Sequence, residues 1–252
     1  MAISPSCVFH FTKSPDSLIG ILSDNFKIAY CREKTSYGSG GSDLQVPMVS
    51  FCDLPLSQVK NHITSYGSYG LGLSKEWAKK QKLNPVMYME RDSLLSASYY
   101  KAAKLLTSKE NREIAGKQSK DLKDSIYALI DVLGYVKNYQ GDVERQDGSV
   151  IKDYRFYDER EWRYVPKYEG YLWIKNNSAF SDNDKKAKAQ EKLEEFRLVF
   201  EPNDIKYIII KDESEIARFV RHLQDAKSKF SYEDVLKVTT RIITLDEINN
   251  DI

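Results

Sequence analysis

Two stretches near the middle of the chain repeat apolar residues at the spacing of an α-helix. In the first stretch the spacings are four, three and four residues, at Leu95, Tyr99, Ala102 and Leu106. The second stretch repeats the same spacings at Leu122, Ile126, Leu129 and Leu133. This period predicts two amphipathic helices that together occupy roughly residues 93–138.

Strand-like runs lie on both sides of this helical segment. The clearest are residues 7–11, 46–54, 84–90, 157–165, 197–202, 205–211 and 239–245. Further helices are expected at 17–26 and 215–227, where apolar residues again recur on one face. The order shows no regular alternation of strand and helix, so the predicted fold class is α+β.

Composition excludes several classes of protein. The chain has 252 residues, 41% hydrophobic and 12% aromatic, which is enough for a sizeable core in one domain or at most two. It has neither a run of about 20 apolar residues nor an N-terminal signal-peptide pattern, so we expect a soluble protein without a membrane partner. The cysteines, Cys7, Cys31 and Cys52, occur singly, which favours a reducing cytoplasm over a disulfide framework or a zinc site.

Charge is unevenly distributed along a chain whose net charge is only +1. Residues 74–123 carry twelve Lys and Arg against six Asp and Glu, a local net charge of +6. Such a segment can be a set of solvated helix faces or a surface that contacts phosphates. The second interpretation requires a functional site nearby.

The first strand places two polar side chains next to each other. Alternation puts Cys7, Phe9 and Phe11 on one face, and Val8, His10 and Thr12 on the other. The imidazole of His10 and the hydroxyl of Thr12 could bind a sugar or a phosphate. A structural histidine is the alternative.

Two glutamates share one face of the strand predicted at 157–165. Glu159 and Glu161 are two residues apart, about 7 Å along a strand. Paired carboxylates at this distance could be the acid and base of a glycoside hydrolase, or one could stabilise an oxocarbenium ion while the other orients a nucleophile. A surface strand with cross-strand charge pairs is the alternative.

A tyrosine pair lies in the glycine-rich segment SYGSYGLGLS, residues 65–74. Tyr66 and Tyr69 could stack on a planar ring or fill the core. The glycine spacing does not match the dinucleotide-binding fingerprint. The three histidines, His10, His62 and His222, lack the spacing of a metal site, and we expect no metal.

Three segments in this order carry a family resemblance. They are VFHFT followed by SLIGIL and CRE, then VSFCDLPLSQVKNHITSYGSYGLGLSKEW, and finally YDEREWRYVP. Together they resemble the AbiGi family of bacterial abortive phage-resistance proteins. They are also similar, more distantly, to the ADP-ribosyltransferase fold of DarT-like toxins.

The resemblance implies a single ADP-ribosyltransferase-like domain over residues 1–252, with a split β-sheet core and the helical insertion at 93–138. It implies NAD as substrate, with Glu161 binding the ribose 2′-hydroxyl and stabilising positive charge. His10 and Thr12 would hold the nicotinamide ribose.

The remaining residues of the implied NAD site would contact other parts of the dinucleotide. Tyr66 or Tyr69 would stack on nicotinamide, Ser50 would lie beside its amide, and Arg32 would face the phosphates. Glu159, in the pattern E-x-E, would orient the acceptor.

The resulting hypothesis is a cytoplasmic ADP-ribosyltransferase toxin of an anti-phage system, with a macromolecular acceptor and a neutralising antitoxin protein. RNA or DNA is the favoured acceptor if the basic residues 74–123 flank the NAD cleft, and a protein if they lie elsewhere. The competing hypothesis is a non-catalytic antitoxin or phage-sensing protein that retains the fold. A glycoside hydrolase is the third.

Overall fold

The computed structural model describes residues 5–117, 119–144, 148–167, 174–180 and 182–251. The strands are β1 (Cys7–Thr12), β2 (Phe26–Lys27), β3 (Ala29–Tyr37), β4 (Gly40–Cys52), β5 (Tyr69–Ser74), β6 (Asn84–Pro85), β7 (Met87–Met89), β8 (Val136–Asn138), β9 (Gly141–Glu144), β10 (Val150–Tyr154), β11 (Glu161–Tyr164), β12 (Lys175–Asn176), β13 (Arg197–Leu198), β14 (Ile205–Ile210) and β15 (Ile242–Thr244). The helices are α1 (Pro15–Asp24), α2 (Val59–Tyr66), α3 (Lys75–Lys80), α4 (Leu94–Leu106), α5 (Lys109–Lys117), α6 (Lys120–Leu133), α7 (Asn183–Glu191), α8 (Ile216–Ala226), α9 (Tyr232–Thr239) and α10 (Leu245–Asp251). This mixture confirms the α+β class.

A large mixed sheet organises the fold, in the order β15-β14-β5-β1-β4-β11-β6. The pairs within this order are antiparallel except for β14 with β15, which is parallel. The long strand β4 also pairs with β3 and β12. Its first part therefore forms a hairpin with β3, and its last part lies between β1 and β11.

The two sides of the main sheet are covered by different hydrophobic clusters. Val8, Phe51, Leu71 and Leu73 pack with α1 and α8 on one side, through Leu18, Leu22, Phe219 and Leu223. Phe9, Cys52 and Ile209 pack with α2 and α10 on the other, through Val59 and Ile248. The predicted alternation in β1, with Phe9 and Val8 on opposite faces, is confirmed.

The sheet opens between β1 and β4. β1 pairs with β5 along all six residues, from Cys7 opposite Ser74 to Thr12 opposite Tyr69. Its register with β4 consists of one pair, Phe9 opposite Cys52. Beyond this pair the two strands separate, which leaves space between them for side chains.

The helical segment differs from the prediction in the number of its helices and in the residue at which it ends. The structure has three helices, α4, α5 and α6, where the sequence predicted two. The apolar period did not indicate α5, because most of KENREIAGK is polar. Residues 136–138 are strand β8, parallel to β7, so the helical part ends at Leu133. No helix in the described ranges has the length and apolar character needed to span a bilayer.

Candidate functional site

A cavity of about 210 Å³ lies where β1 and β4 separate. We call it the carboxylate cavity, because two glutamates line it. Its described lining residues are Phe9, His10, Phe11, Cys31, Glu33, Met48, Ser50, Phe51, Cys52, Tyr66, Lys137, Glu159 and Glu161. Five of the eight residues that the sequence singled out are among them: His10, Ser50, Tyr66, Glu159 and Glu161.

His10 bridges the opening between the two strands. Its Nδ1 lies 2.8 Å from the carbonyl oxygen of Ser50 on β4. A carbonyl oxygen can only accept, so Nδ1 carries a proton and donates it. Burial lowers the pKa of His10, which keeps the ring neutral at pH 7 and leaves Nε2 as an acceptor. A ribose hydroxyl is one group that could donate to this nitrogen.

The two glutamates reach the cavity from different backbone conformations. The prediction of one strand over 157–165 is wrong, because a 3₁₀ turn covers Phe156–Glu159 and β11 begins at Glu161. Arg160 between them is left-handed, with φ of 44°. This residue turns the chain and prevents the 157–165 segment from continuing as one strand.

Lys137 brings the two carboxylates together. Its Nζ donates to Oε2 of Glu159 at 2.7 Å and to Oε2 of Glu161 at 2.8 Å. The pKa of Lys137 is raised although burial opposes its charge, because the carboxylates of Glu161 and Glu159 favour the ammonium form. Lys137 therefore holds both glutamates in place.

Arg163 anchors Glu161 from the interior. Its guanidinium is fully buried and donates to Glu161 through Nε at 2.6 Å and Nη2 at 3.0 Å. The same group donates to the carboxylate of Glu33 at 2.8 Å and to the carbonyl of Gly134 at 2.9 Å. A guanidinium suits this position because its planar fork offers several donors in a fixed geometry.

These contacts set the charge of Glu161. Burial opposes its ionisation, but Arg163 and Lys137 outweigh burial and lower its pKa to about 2. It is therefore a carboxylate at neutral pH. It accepts three hydrogen bonds from these cations, and a carboxylate has about four acceptor positions, so about one remains for a ligand.

The tyrosine pair divides between the cavity and the core. Tyr66 ends α2, lines the carboxylate cavity and donates from its hydroxyl to Glu159. Tyr69 lies in β5, in the hydrophobic cluster with α1 and α8, and donates to Glu215 at 2.8 Å. Gly67 makes this separation possible, since its φ of 118° turns the chain between α2 and β5. The structure therefore places Tyr66, and not Tyr69, at the cavity.

Thr12 and Arg32 are not among the residues that line the cavity. Thr12 ends β1 and donates from its hydroxyl to the carbonyl of Ser14 at 3.2 Å. Cys31 and Glu33 line the cavity, so alternation along β3 directs Arg32 to the opposite face. There it forms a bidentate ion pair with Asp43 at 2.9 and 2.7 Å.

Two cysteines line the cavity without the environment of a nucleophile. Burial raises the pKa of Cys52; local desolvation and nearby carboxylates raise that of Cys31, although that residue is exposed at the surface. Both thiols are therefore protonated at neutral pH, whereas the reactive form of cysteine is the thiolate.

The sequence patterns did not indicate Lys137, Glu33 or the structural role of Arg163. Arg163 alternates with Glu161 on one face of β11, which was a usable signal for their contact. The signal for Lys137 was weaker: a lone lysine in the otherwise uncharged run GYVKNY. None of the Lys and Arg of residues 74–123 appears among the described residues of this cavity.

Comparisons with known proteins agree on one family. A family model described as "Putative abortive phage resistance protein AbiGi, antitoxin" matches residues 24–211. A protein named "Abortive phage resistance protein AbiGi", from Lactococcus lactis subsp. cremoris, is 25% identical over 232 residues, which cover 82% of this chain and 88% of that protein. No solved structure matches the chain. The matched range of the family model includes Lys137, Glu159, Glu161 and Arg163 but begins after His10.

Proposed function

This chain belongs to the AbiGi family, and from that premise we propose that it is an anti-phage protein that transfers ADP-ribose from NAD to a macromolecular acceptor. The family model and the lactococcal relative support the role in phage defence. The arrangement of the carboxylate cavity supports the transferase chemistry.

One juxtaposition carries the proposal: an ionised Glu161 and a neutral His10 line one cavity at an opening of the main sheet. A cavity of about 210 Å³ is smaller than the roughly 300–1,000 Å³ typical of sites for whole small ligands. It would therefore take one end of NAD, the nicotinamide and its ribose. The rest of the dinucleotide would lie outside this cavity.

The charge of the cavity suits the nicotinamide end. Glu33, Glu159 and Glu161 outnumber Lys137 and Arg163, so their formal charges sum to −1 when all five residues are ionised. The nicotinamide ring of NAD carries a positive charge, which such a site attracts. Tyr66 offers an aromatic ring in the same cavity.

The reaction breaks the bond between the ribose C1′ and the nicotinamide nitrogen. The bonding electron pair leaves with nicotinamide, which becomes neutral, and C1′ develops oxocarbenium character. Glu161 would stabilise this charge and accept a hydrogen bond from the 2′-hydroxyl. The acceptor nucleophile then bonds to C1′, and its proton passes to Glu159, whose Oε1 and Oε2 already accept from Tyr66 and Lys137.

We further propose RNA or DNA in the cytoplasm as the acceptor. Three cations from the basic segment, Lys104, Arg112 and Lys123, line a second cavity beside the β3–β4 hairpin. Glu33 lines the carboxylate cavity and Tyr37 the second one, both on the same face of β3 and about 13 Å apart along the strand. Phosphates bound by these three cations would bring a base or sugar towards C1′.

The test is to incubate the purified chain with NAD labelled in its adenylate part and with RNA, DNA or cell lysate. Label transfer and nicotinamide release are both measured. We expect transfer by the wild-type chain and loss of at least about 100-fold in Glu161→Gln, as expected when a charge-stabilising group is removed. Glu233→Gln, which alters an exposed carboxylate of α9, is the matched control and should retain activity.

Glu161 also contacts buried Arg163, so each variant's folding is checked by circular dichroism and thermal unfolding. Tyr66→Phe, which keeps the ring and removes the hydroxyl bound to Glu159, is a second variant with intact Glu161 contacts. A folded wild-type chain that releases no nicotinamide with any acceptor would contradict the transferase proposal.

A second candidate is a non-catalytic antitoxin whose partner is a toxin protein. The observation that favours it is that Glu161 is already fixed by Arg163 and Lys137, as a purely structural carboxylate would be. The family description also contains the word antitoxin. Expression of the chain alone distinguishes the two: a toxin arrests growth and Glu161→Gln does not, whereas an antitoxin leaves growth unchanged in both forms.

A further inference from the structure

A second, larger cavity lies beside the β3–β4 hairpin, under helices α4, α5 and α6. Its volume is about 600 Å³, which is in the range of sites for whole small ligands. We call it the helical cavity. Its described lining residues are Tyr37, Gly41, Ser42, Asp43, Leu44, Tyr100, Ala103, Lys104, Thr107, Arg112, Lys123, Ile126, Tyr127, Ile130, Leu133, Ile174, Lys175 and Asn176.

Each of the three helices contributes a cation to this cavity. Lys104 comes from α4, Arg112 from α5 and Lys123 from α6. Within the described residues, none of these three forms an ion pair with a carboxylate. All three are exposed side chains whose repulsion water and salt largely screen, but their convergence on one cavity gives it a positive potential that favours an anionic ligand.

The acidic residue of the lining does not offset these charges. Asp43 is the one Asp or Glu among the described lining residues. Its carboxylate is occupied by Arg32 and also accepts from Asn177 at 3.2 Å. The hydrogen bond from Arg32 lowers the pKa of Asp43, so this carboxylate is ionised and its charge is compensated by Arg32. The cavity therefore retains a positive potential.

Two of the cations are paired with tyrosine rings one helical turn away. Nζ of Lys104 lies 6.0 Å from the ring centre of Tyr100 on α4, and Nζ of Lys123 lies 5.6 Å from that of Tyr127 on α6. Tyr100 also stacks on Tyr37, with ring centres 5.7 Å apart and planes at 19°. The cavity thus has aromatic faces beside its ammonium groups.

The rest of the wall is apolar. Ile126, Ile130 and Ile174 pack with Val46 and Met48 of β4 as a separate hydrophobic cluster. Apolar and aromatic walls bind a flat ring through burial and stacking, while cations at the edge bind phosphate. An inorganic anion alone would leave the apolar wall unused.

We propose that the helical cavity binds a nucleoside phosphate. Its phosphate contacts Lys104, Arg112 and Lys123, and its base lies against Tyr100 and Tyr127. The ligand is either a free nucleotide or a nucleotide within RNA, since both present the same phosphate and base. This proposal does not depend on transferase activity, because it concerns binding at residues outside the carboxylate cavity.

The test is isothermal titration calorimetry of the full chain, without NAD, at low and high salt. The probes are AMP, adenosine, inorganic phosphate and a 5′-phosphorylated RNA tetranucleotide. We expect AMP or the tetranucleotide to bind at least about tenfold more tightly than adenosine and inorganic phosphate, and to weaken as salt rises. The tighter of the two phosphorylated probes identifies the source of the ligand.

Substitutions in the helical cavity test whether the probes bind there. Arg112→Gln with Lys123→Gln should weaken AMP or tetranucleotide binding by at least about tenfold, the loss expected when charge-assisted hydrogen bonds are removed. Tyr127→Leu should weaken binding of the same probes without changing that of inorganic phosphate. The matched control is Lys101→Gln, an exposed lysine of α4 that does not line the cavity.

Three results would overturn the proposal. They are no binding of either phosphorylated probe by the folded chain, equal binding of inorganic phosphate, and binding that Lys101→Gln weakens as much as the double variant. Glu161→Gln should bind the probes as the wild type does, so failure here is distinguishable from failure of the transferase proposal.

Discussion

Nζ of Lys137 lies 2.8 Å from Oε2 of Glu161, although the two residues are 24 positions apart in the chain. Lys137 belongs to β8, which pairs with β7 in a small parallel sheet, whereas Glu161 begins β11 in the main sheet. This ion pair therefore joins two sheets at the carboxylate cavity. Its geometry and that of the surrounding residues lead to four predictions.

Replacing Lys137 with Met should destabilise the fold strongly. The change leaves Glu159 and Glu161 buried without the ammonium that both contact. Breaking a buried ion pair by removing one partner costs about 3–5 kcal/mol, because the remaining charge is uncompensated. Urea denaturation measures the free energy of unfolding. Lys152→Met, which breaks an exposed ion pair with Asp142, is the control and should leave the midpoint of urea denaturation unchanged. Equal effects of the two changes would contradict a buried network.

Acid should remove a stabilising contribution of Glu161. Arg163 and Lys137 hold its pKa at about 2, against 4.5 for an ordinary Glu, although burial opposes this shift. A depressed pKa stabilises the folded state at pH above about 4.5, and this contribution is lost as the pH falls towards 2. The shift corresponds to about 3 kcal/mol.

The measurement is the free energy of unfolding from pH 7 to pH 2.5 in the wild type and in Glu161→Gln. Between pH 4.5 and pH 2.5, the free energy of unfolding should fall less in the variant than in the wild type. A carboxyl ¹³C signal of Glu161 that titrates near pH 4.5 would contradict the prediction, even if the variant does not fold.

His10 should remain neutral with its proton on Nδ1 at pH 7. The carbonyl of Ser50 accepts from Nδ1 at 2.8 Å, and burial lowers the pKa of the ring. Long-range ¹H–¹⁵N spectra of the ¹⁵N-histidine-labelled chain report the tautomer directly. His10→Gln identifies the signal among the three histidines. A pKa above 6.5, or a proton on Nε2 instead, would show that His10 does not bridge β1 and β4 as described.

Replacing Gly67 with Ala should destabilise the fold and disturb Tyr66. The φ of Gly67 is 118°, and a Cβ there would overlap the carbonyl of Thr12. Strain of this kind costs about 1–3 kcal/mol. Gly20→Ala in α1 is the matched control, since a Cβ there meets nothing within 4 Å. That change should stabilise the chain by about 0.5–1 kcal/mol. Thermal unfolding of both variants tests the difference.

Much of the local structure was predictable from the chain itself. Alternation in CVFHFT indicated the two faces of β1, and the apolar period located α4 and α6. α5 was missed because its polar residues produce no such period. The observed strand β11 is shorter than the strand predicted over 157–165, because the backbone of Arg160 is left-handed. The alternation of side chains does not reveal this conformation in a residue other than glycine.

The assembly of the candidate site was only partly predictable. The alternation of side chains indicated that Glu161 and Arg163 share a face of the strand, and in the structure Arg163 donates hydrogen bonds to Glu161. It could not indicate that Lys137 forms an ion pair with both glutamates, since this contact depends on how the β7–β8 pair packs against the main sheet. Tyr66 and Tyr69 were equivalent in the sequence, and the turn at Gly67 separated them.

Short-range patterns in the sequence determined which residues form strands and helices and which faces are apolar, because these features depend on neighbours a few positions apart. The tertiary structure alone decided that β1 and β4 separate after Phe9 and Cys52, and that His10, Lys137 and Glu161 line one cavity beside this opening. Such contacts arise from strand pairing between distant segments, and local periodicity contains no information about that register.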